Sequence, residues 1–164
     1  MAMNRTFCLV MLTTGLAFAY QTEVTAQKIL ENIGNLTIST SNCSRNLEDQ
    51  PQGPCSRVVL DQLQKDVISV RFIARGKQPD SSNQLTLAGT SQNSLQCKNT
   101  RCVITGPIEL ELSSISEVSY NNNGIAEEMP KAWPVLGNCK LELKSISCRA
   151  RSIQGQRWEA NASF

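Results

Sequence analysis

The sequence predicts a mainly β protein, with an antiparallel β-sandwich as the first choice of fold and a small β-barrel as the alternative. Short stretches in which apolar and polar residues alternate are typical of half-buried strands. They recur between clusters of Gly, Pro, Asn and Ser at near-regular intervals, as in sandwiches and barrels. Seven cysteines in 164 residues further indicate a domain stabilised by disulfides. Aromatic residues make up only 5% of the chain, so we expect an aliphatic core.

Residues 1–19 have the features of a secretory signal peptide. Arg5 is their only charged residue, the stretch 7–19 is almost entirely apolar, and A-F-A at positions 17–19 matches a signal-peptidase site. The apolar run is shorter than the roughly 20 residues that cross a bilayer. We therefore expect export to the periplasm, the cell surface or the extracellular medium, with no membrane insertion after signal cleavage. Residues 20–164 are expected to form a single domain.

The first half of the exported domain changes from helical to strand periodicity. In order, we predict one short N-terminal amphipathic helix over residues 21–33, a strand over 35–40, a loop over 43–54, a segment over 56–65 that suits either a strand or a short helix, and a clear strand over 68–75.

The second half contains the remaining predicted strands. In order, we predict a loop over 76–83, a strand around Leu85 and Leu87, a hairpin around 98–101, a strand from Ile108 that continues less regularly to Tyr120, a long irregular loop over 121–138, a strand from Cys139 with a bulge near Ser145, and a final strand over 157–164.

Cys8 lies within the predicted signal peptide, so six cysteines remain in the exported domain: Cys43, Cys55, Cys97, Cys102, Cys139 and Cys148. An even number in a small exported domain predicts three disulfides. A structural zinc site would need closely spaced thiolate pairs or histidine, and the chain has no histidine. Cys97 and Cys102 flank a predicted hairpin turn, so we expect them to form one of the disulfides.

The other pairings stay open. Cys43 and Cys55 bracket a loop that could bring them together, which would leave Cys139 to pair with Cys148. Nine residues of continuous strand span about 30 Å, far beyond the reach of a disulfide. Because residues 142–145 are poor turn formers, we expect Cys139 and Cys148 to reach separate strands, with Cys43 and Cys55 as their natural partners.

The residue types exclude several catalytic classes. Without histidine, a Ser-His-Asp or Cys-His arrangement and imidazole ligation of a metal are impossible. Paired cysteines leave no nucleophilic thiol, and no glycine-rich phosphate loop occurs. The formal net charge of +2 is dispersed along the chain, which does not favour nucleic-acid binding. We therefore expect no cofactor, no metal and no nucleic-acid partner.

Paired carboxylates keep a small glycan-active enzyme as an alternative, since glycoside hydrolysis needs two acids facing each other across a cleft. The candidates are Glu109 with Glu111, and Glu127 with Glu128. The first pair belongs to the polar face of a predicted strand, and the second to a loop. Ordinary solvated carboxylates also occur at such places.

The predicted loop over residues 121–138 is the best candidate for a recognition surface. Loops of this length in compact domains are usually functional, and tryptophan is enriched at binding hot spots. The candidate ligand-binding residues are Met129, Pro130, Trp133 and Pro134. Alternatively, Trp133 closes one end of the hydrophobic core.

Taken together, the residues predict an exported, non-enzymatic binding or structural module whose partner is an unknown protein or glycan. A secreted inhibitor of a protease or another enzyme is a further alternative, because the segment between Cys43 and Cys55 could present a constrained loop.

Overall fold

The computed structural model describes residues 33–48 and 50–164. All regular secondary structure in this part of the chain is β-strand: β1 Gly34–Ser39, β2 Asn42–Leu47, β3 Gln50–Pro54, β4 Arg57–Gln62, β5 Val67–Arg75, β6 Ser82–Thr90, β7 Gln96–Lys98, β8 Thr100–Val103, β9 Ile108–Tyr120, β10 Lys131–Leu141, β11 Ser145–Ser152 and β12 Arg157–Ser163. The predicted mainly β class is confirmed. The signal peptide and, apart from Ile33, the helix predicted over residues 21–33 lie outside the described residues.

The twelve strands form one hydrogen-bonded sheet with the order β3-β2-β12-β11-β10-β9-β6-β5-β4-β1-β8-β7. Ten of the eleven pairings are antiparallel, and the short β1–β8 contact is parallel. Both edges of the sheet are short strands, and β3 contains two prolines. Short edges with proline discourage pairing with another chain.

The sheet is curled into a half-barrel and is not clearly divided into the two layers of a sandwich. The guanidinium of Arg45 in β2 donates a hydrogen bond to the carbonyl oxygen of Asn83 in β6, at 3.2 Å. Four strands lie between β2 and β6 in the sheet order. In a flat sheet these two strands would be about 24 Å apart, since neighbours are spaced by about 4.8 Å. The side-chain contact therefore requires strong curvature.

Register shifts in two neighbouring strand pairs accompany the curvature. The register shifts between β6 and β9 at Ala88/Gly89, and between β9 and β10 at Pro134/Gly137. A Cβ atom on Gly89 or Gly137 would lie 2.1 Å from a carbonyl oxygen of the neighbouring strand. Glycine at these positions permits the close backbone approach, and bulges bend the strands that carry them.

The interior face of the sheet is almost entirely aliphatic, as the composition predicts. The largest fully buried side chains are Trp158, Phe72, Leu60, Ile68, Leu85, Leu87, Leu95, Leu110, Leu112, Ile115, Leu141 and Ile146. Ten of these twelve side chains are Leu or Ile, so aromatic residues are a small part of the core.

The structure contains three disulfides: Cys43–Cys55, Cys97–Cys102 and Cys139–Cys148. Both the number of disulfides and the Cys97–Cys102 pairing are therefore confirmed. The expectation that Cys139 and Cys148 reach separate partners is wrong. Strand β10 ends at Leu141 and the chain reverses over residues 142–144, so Cys139 and Cys148 lie directly opposite each other on β10 and β11.

The turn between β10 and β11 explains the error, because it lacks the usual turn residues. The amide of Glu142 donates to the carbonyl oxygen of Ser145 at 2.8 Å, and the hydroxyl of Ser145 donates to the Glu142 carboxylate at 3.0 Å. One backbone and one side-chain hydrogen bond thus hold a reversal that the residue types do not indicate. No bulge is needed near Ser145, since the shift in the apolar pattern marks this turn.

The loop predicted over residues 43–54 is also wrong, because this segment forms the β2–β3 hairpin. The Cys43–Cys55 disulfide joins its open end, where the amide of Cys55 donates to the carbonyl oxygen of Cys43 at 3.0 Å. Its polar, proline-containing sequence suits the edge strand that β3 forms. In the ambiguous segment 56–65, the strand alternative is correct and corresponds to β4.

Candidate ligand-binding site

A recess of about 350 Å³ lies at the end of the half-barrel where β6 begins and β9 ends. Its lining combines these strand ends with β2, the start of β10 and two connecting loops. The lining residues are Leu47, Lys77, Gln78, Ser81, Asn83, Gln84, Glu117, Val118, Ser119, Glu127, Glu128, Met129 and Lys131. Ten of these thirteen residues are polar, which is unlike the apolar interior behind them.

Glu117 forms the charged floor of the recess. Its Oε1 atom accepts a hydrogen bond from the indole Nε1 of Trp158 at 2.8 Å and another from the backbone amide of Glu48 at 2.7 Å. Trp158 is fully buried, so this carboxylate is joined directly to the core. Hydrogen bonds to an ionised group are stronger than those between neutral groups, which fixes the position of Glu117.

Arg45 is a cation that interacts electrostatically with this floor, and it is almost completely buried, with 5% of its surface exposed. Burial lowers the pKa of its guanidinium, whereas the negative charge of Glu117 opposes this shift. Its Nη2 atom bonds to Asn83, but Nε has no hydrogen-bond partner among the described residues. The Arg45–Glu117 attraction therefore offsets part of the cost of burying the guanidinium.

Glu48 extends the polar network to one side of the recess. Its carboxylate accepts a hydrogen bond from the side-chain amide of Gln156 and lies 3.6 Å from the ammonium of Lys131. The segment after β2, the β11–β12 turn and the start of β10 are thereby connected through side chains. The walls of the recess come from strands that are distant in the sequence but held together by this network.

Exposed polar side chains form the rim of the recess. Lys77, Gln78, Glu127 and Glu128 make no side-chain hydrogen bond or ion pair with the described part of the chain. The backbone that carries them is nevertheless fixed. The hydroxyl of Ser81 donates to the carbonyl oxygen of Gln78 at 2.7 Å, and the amide of Glu127 donates to Ser119 at 2.9 Å.

The four predicted ligand-binding residues are not brought together in one place. Met129 lines the recess and is 89% exposed, and Pro130 follows it on the exposed connection to β10. Trp133 and Pro134 belong to β10, so the loop predicted over residues 121–138 ends at residue 130. Pro134 precedes a bulge, one of the positions in a sheet that tolerate proline.

Trp133 lies on the interior side of β10, directly opposite Ile115 of β9. It is partly buried and packs on Trp158, with the ring centroids 5.1 Å apart and the planes tilted by 45°. Trp133 does not line the recess. Its placement matches the alternative in which it closes one end of the core, although its ring is joined through Trp158 to the Glu117 floor.

The sequence did not predict that Glu117 and Lys77 line one recess, or that Arg45 is a buried cation attracted to Glu117. The three residues lie on β9, the loop after β5 and β2, respectively, and only the curvature of the sheet brings their segments together. Arg45 lies at an apolar position of a strand, where a cation is unusual. Because residues 43–54 were predicted to form a loop, the position of Arg45 on a strand was not recognised.

The two predicted carboxylate pairs lie in different surroundings. Glu127 and Glu128 are on the rim of the recess, whereas Glu109 and Glu111 line a second groove of about 700 Å³ on the exterior side of the sheet, together with Asp66. Among residues 33–48 and 50–164, no group of three or more His, Cys, Asp or Glu side chains is arranged to hold a metal ion. No helix in that part of the chain is long and apolar enough to span a membrane.

Comparisons of this chain with protein-family models, with curated proteins and with solved structures found no match.

Proposed function

We propose that this protein is an exported, non-enzymatic binding module that holds a glycan in the recess at the end of the half-barrel. One observation carries the proposal. Hydrogen bonds hold Glu117 on the floor of the recess, whereas the polar side chains of the rim make no such bonds with the described part of the chain. Ligand pockets commonly enclose roughly 300–1,000 Å³ and occur at the mouths of barrels. A recess of about 350 Å³ at a half-barrel end fits both criteria.

The chemistry of the rim favours a polyhydroxylated ligand. Each sugar hydroxyl can both donate and accept hydrogen bonds. Lys77 supplies donors, Glu127 and Glu128 supply acceptors, and the amide of Gln78 supplies both. An apolar ligand would leave these groups buried without partners, which is unfavourable. Met129 adds one exposed apolar surface against which a sugar ring can pack.

Export is consistent with a ligand outside the cytoplasm. Three disulfides in a small β domain are typical of proteins that mature in an oxidising compartment. The signal peptide expected over residues 1–19 gives the route. The periplasm, the cell surface and the extracellular medium all provide glycans.

The test is a glycan microarray probed with the oxidised protein, followed by titration of the bound oligosaccharides. Because the Trp158 indole donates to Glu117 on the floor, tryptophan fluorescence should report occupation of the recess. We expect Glu127→Gln/Glu128→Gln to weaken binding about tenfold, since the charge-assisted acceptors on the rim are lost. The matched control is Glu109→Gln/Glu111→Gln, which makes the same charge change in the exterior groove and should leave the affinity unchanged.

Three results would contradict the proposal. If no glycan is retained, the ligand class is wrong. Equal affinity of the rim variant and the parent would place binding elsewhere on the protein. Cleavage of a bound oligosaccharide, detected by mass spectrometry and abolished in the rim variant, would establish the glycan-active enzyme instead of the binding module.

A further inference from the structure

The exterior face of β11 and β12 carries two arginines directly opposite each other, Arg151 and Arg157. Facing Cβ atoms in an antiparallel pair are about 4.5–5.5 Å apart, and like charges at such positions repel each other. Both side chains are exposed, and neither forms an ion pair within residues 33–48 and 50–164. The described part of the chain therefore supplies no anion between them.

The next pair on the same face shows the opposite arrangement. Arg149 lies opposite Glu159, and its Nε atom is 3.8 Å from the Glu159 carboxylate. The pair of opposite charges and the pair of like charges are thus two residues apart along each strand. An external anion would provide for Arg151 and Arg157 what Glu159 provides for Arg149.

The arginine pair is carried by a tight turn. The amide of Ser152 donates to the carbonyl oxygen of Gln156, and the amide of Gly155 donates to that of Ser152, both at 3.0 Å. Gly155 has a φ of +94°, and a Cβ atom there would lie 3.9 Å from Nη2 of Arg151. The guanidinium of Arg151 therefore lies close to a backbone that is fixed by hydrogen bonds.

Exposed aliphatic side chains flank the arginines. Leu136 lies directly opposite Arg151 on the other neighbouring strand, β10, and is 81% exposed. Ile153 begins the turn two residues after Arg151 and is 87% exposed. Aliphatic side chains beside unpaired cations suit a surface that is both anionic and apolar.

From these contacts we propose that Arg151, Arg157, Leu136 and Ile153 form a docking patch for a membrane surface that contains anionic phospholipids. Guanidinium groups bind phosphate oxygens through paired hydrogen bonds, and basic residues near an anionic leaflet strengthen adsorption. Leu136 and Ile153 enter the boundary between headgroups and acyl chains. An acidic polysaccharide would satisfy the arginines but would offer nothing to these two aliphatic side chains.

The experiment is co-sedimentation of the oxidised protein with vesicles of phosphatidylcholine, with or without phosphatidylglycerol. Binding should require phosphatidylglycerol, and Arg151→Gln/Arg157→Gln should weaken it by about 25-fold, about fivefold for each arginine. Leu136→Ser/Ile153→Ser should also weaken it, with no change in net charge. All four positions are exposed, and thermal unfolding of each variant verifies that it is folded.

The β7–β8 hairpin offers a matched control. Lys98 and Arg101 are also exposed cations that face each other across two strands, at the far edge of the sheet. Lys98→Gln/Arg101→Gln removes the same net charge and should change vesicle binding less than twofold.

Equal losses in the two charge variants would overturn the patch in favour of nonspecific attraction, and absence of binding to phosphatidylglycerol would overturn it outright. Tighter retention on polyglutamate than on vesicles would identify an acidic polypeptide as the partner instead. None of these outcomes depends on glycan binding in the recess, so the two proposals fail or succeed separately.

Discussion

Two hairpins of this sheet are closed in almost the same way but occupy very different places. Cys139–Cys148 joins β10 to β11 and Cys97–Cys102 joins β7 to β8, and in both the cysteines are directly opposite each other with Cα atoms 4.0 and 3.9 Å apart. The β10–β11 hairpin has a neighbouring strand on each side, whereas β7 is an edge of the sheet. We therefore expect comparable covalent geometry to contribute differently to the stability of the two hairpins.

Removal of the two disulfides should reveal this difference most strongly. The chain-entropy model gives about 2.6 kcal/mol for a separation of nine residues and about 2.1 kcal/mol for five, so loop length alone hardly distinguishes them. Cys139 and Cys148 are both 0% exposed, and their truncation also leaves cavities. We expect Cys139→Ala/Cys148→Ala to lower the free energy of unfolding by about 4.5 kcal/mol, and Cys97→Ala/Cys102→Ala by about 2 kcal/mol.

The measurement is chemical denaturation of both double variants beside the parent protein. Because Cys102 is also buried, at 2% exposed, equal losses would show that the fuller burial of Cys139 and Cys148 adds nothing to the effect of chain entropy. A larger loss for the β7–β8 variant would contradict the comparison altogether. The slope of the transition should be checked as well, because a changed slope would indicate an effect on the unfolded state.

Substitution of glycine tests the same difference between the centre and the edge of the sheet, with smaller expected losses of stability. A Cβ atom on Gly137 in β10 would lie 2.1 Å from the carbonyl oxygen of Arg149, and one on Gly34 in β1 would lie 2.5 Å from that of Thr100 in β8. Strand β11 is held between two neighbours, whereas β8 is supported on its outer side only by the short strand β7. We expect Gly137→Ala to cost about 3 kcal/mol and Gly34→Ala about 1 kcal/mol, since the edge can move away.

Gly106→Ala is the control for both substitutions, because a Cβ atom there would meet nothing within 4 Å. Its thermal midpoint should be unchanged or slightly raised through the reduced entropy of the unfolded chain. If Gly34→Ala were as costly as Gly137→Ala, the edge would be as rigid as the centre of the sheet.

The two hairpins also show why one was predictable from the sequence and the other was not. At the edge, Asn99 and Thr100 form a two-residue turn with φ values of +50° and +64° between the paired cysteines. Such a short reversal between cysteines is a local signal. At the centre, Glu142, Leu143 and Lys144 resemble strand residues, and their reversal depends on hydrogen bonds to Ser145 that residue types do not reveal.

The same difference between local and long-range signals decides which residues of the candidate site could be predicted. Met129 was identified because it lies in a long, proline-containing segment that the sequence predicts as a loop. Glu117 and Arg45 were not, because their proximity depends on the curvature of the sheet across the three strands that lie between β2 and β9. Periodicity tells which side of a strand is buried, and it correctly gave the mainly β class. It carries no information on which distant strand will face that side.

The smallest expected effect is electrostatic and belongs to the tip of the β10–β11 hairpin. A hydrogen bond and charge attraction from Lys140, 2.7 Å away, together with the Ser145 hydroxyl, lower the pKa of Glu142 below its ordinary value of 4.5. A carboxyl whose pKa is lower in the folded state adds stability above its unfolded value and loses it as the pH falls through the folded value. The thermal midpoint of the parent should therefore exceed that of Glu142→Gln at about pH 7, and the difference should shrink as the pH falls below 4.5 and disappear in acid below the lowered folded-state pKa. Both charged groups are exposed and screened, so the shift should be small.

Residues 96–103 of the other hairpin contain no acid, and Lys98→Gln should change stability equally at both pH values. A Glu142→Gln difference that persists in acid would mean that the turn is held by its backbone and Ser145 alone, with no contribution from the ion pair.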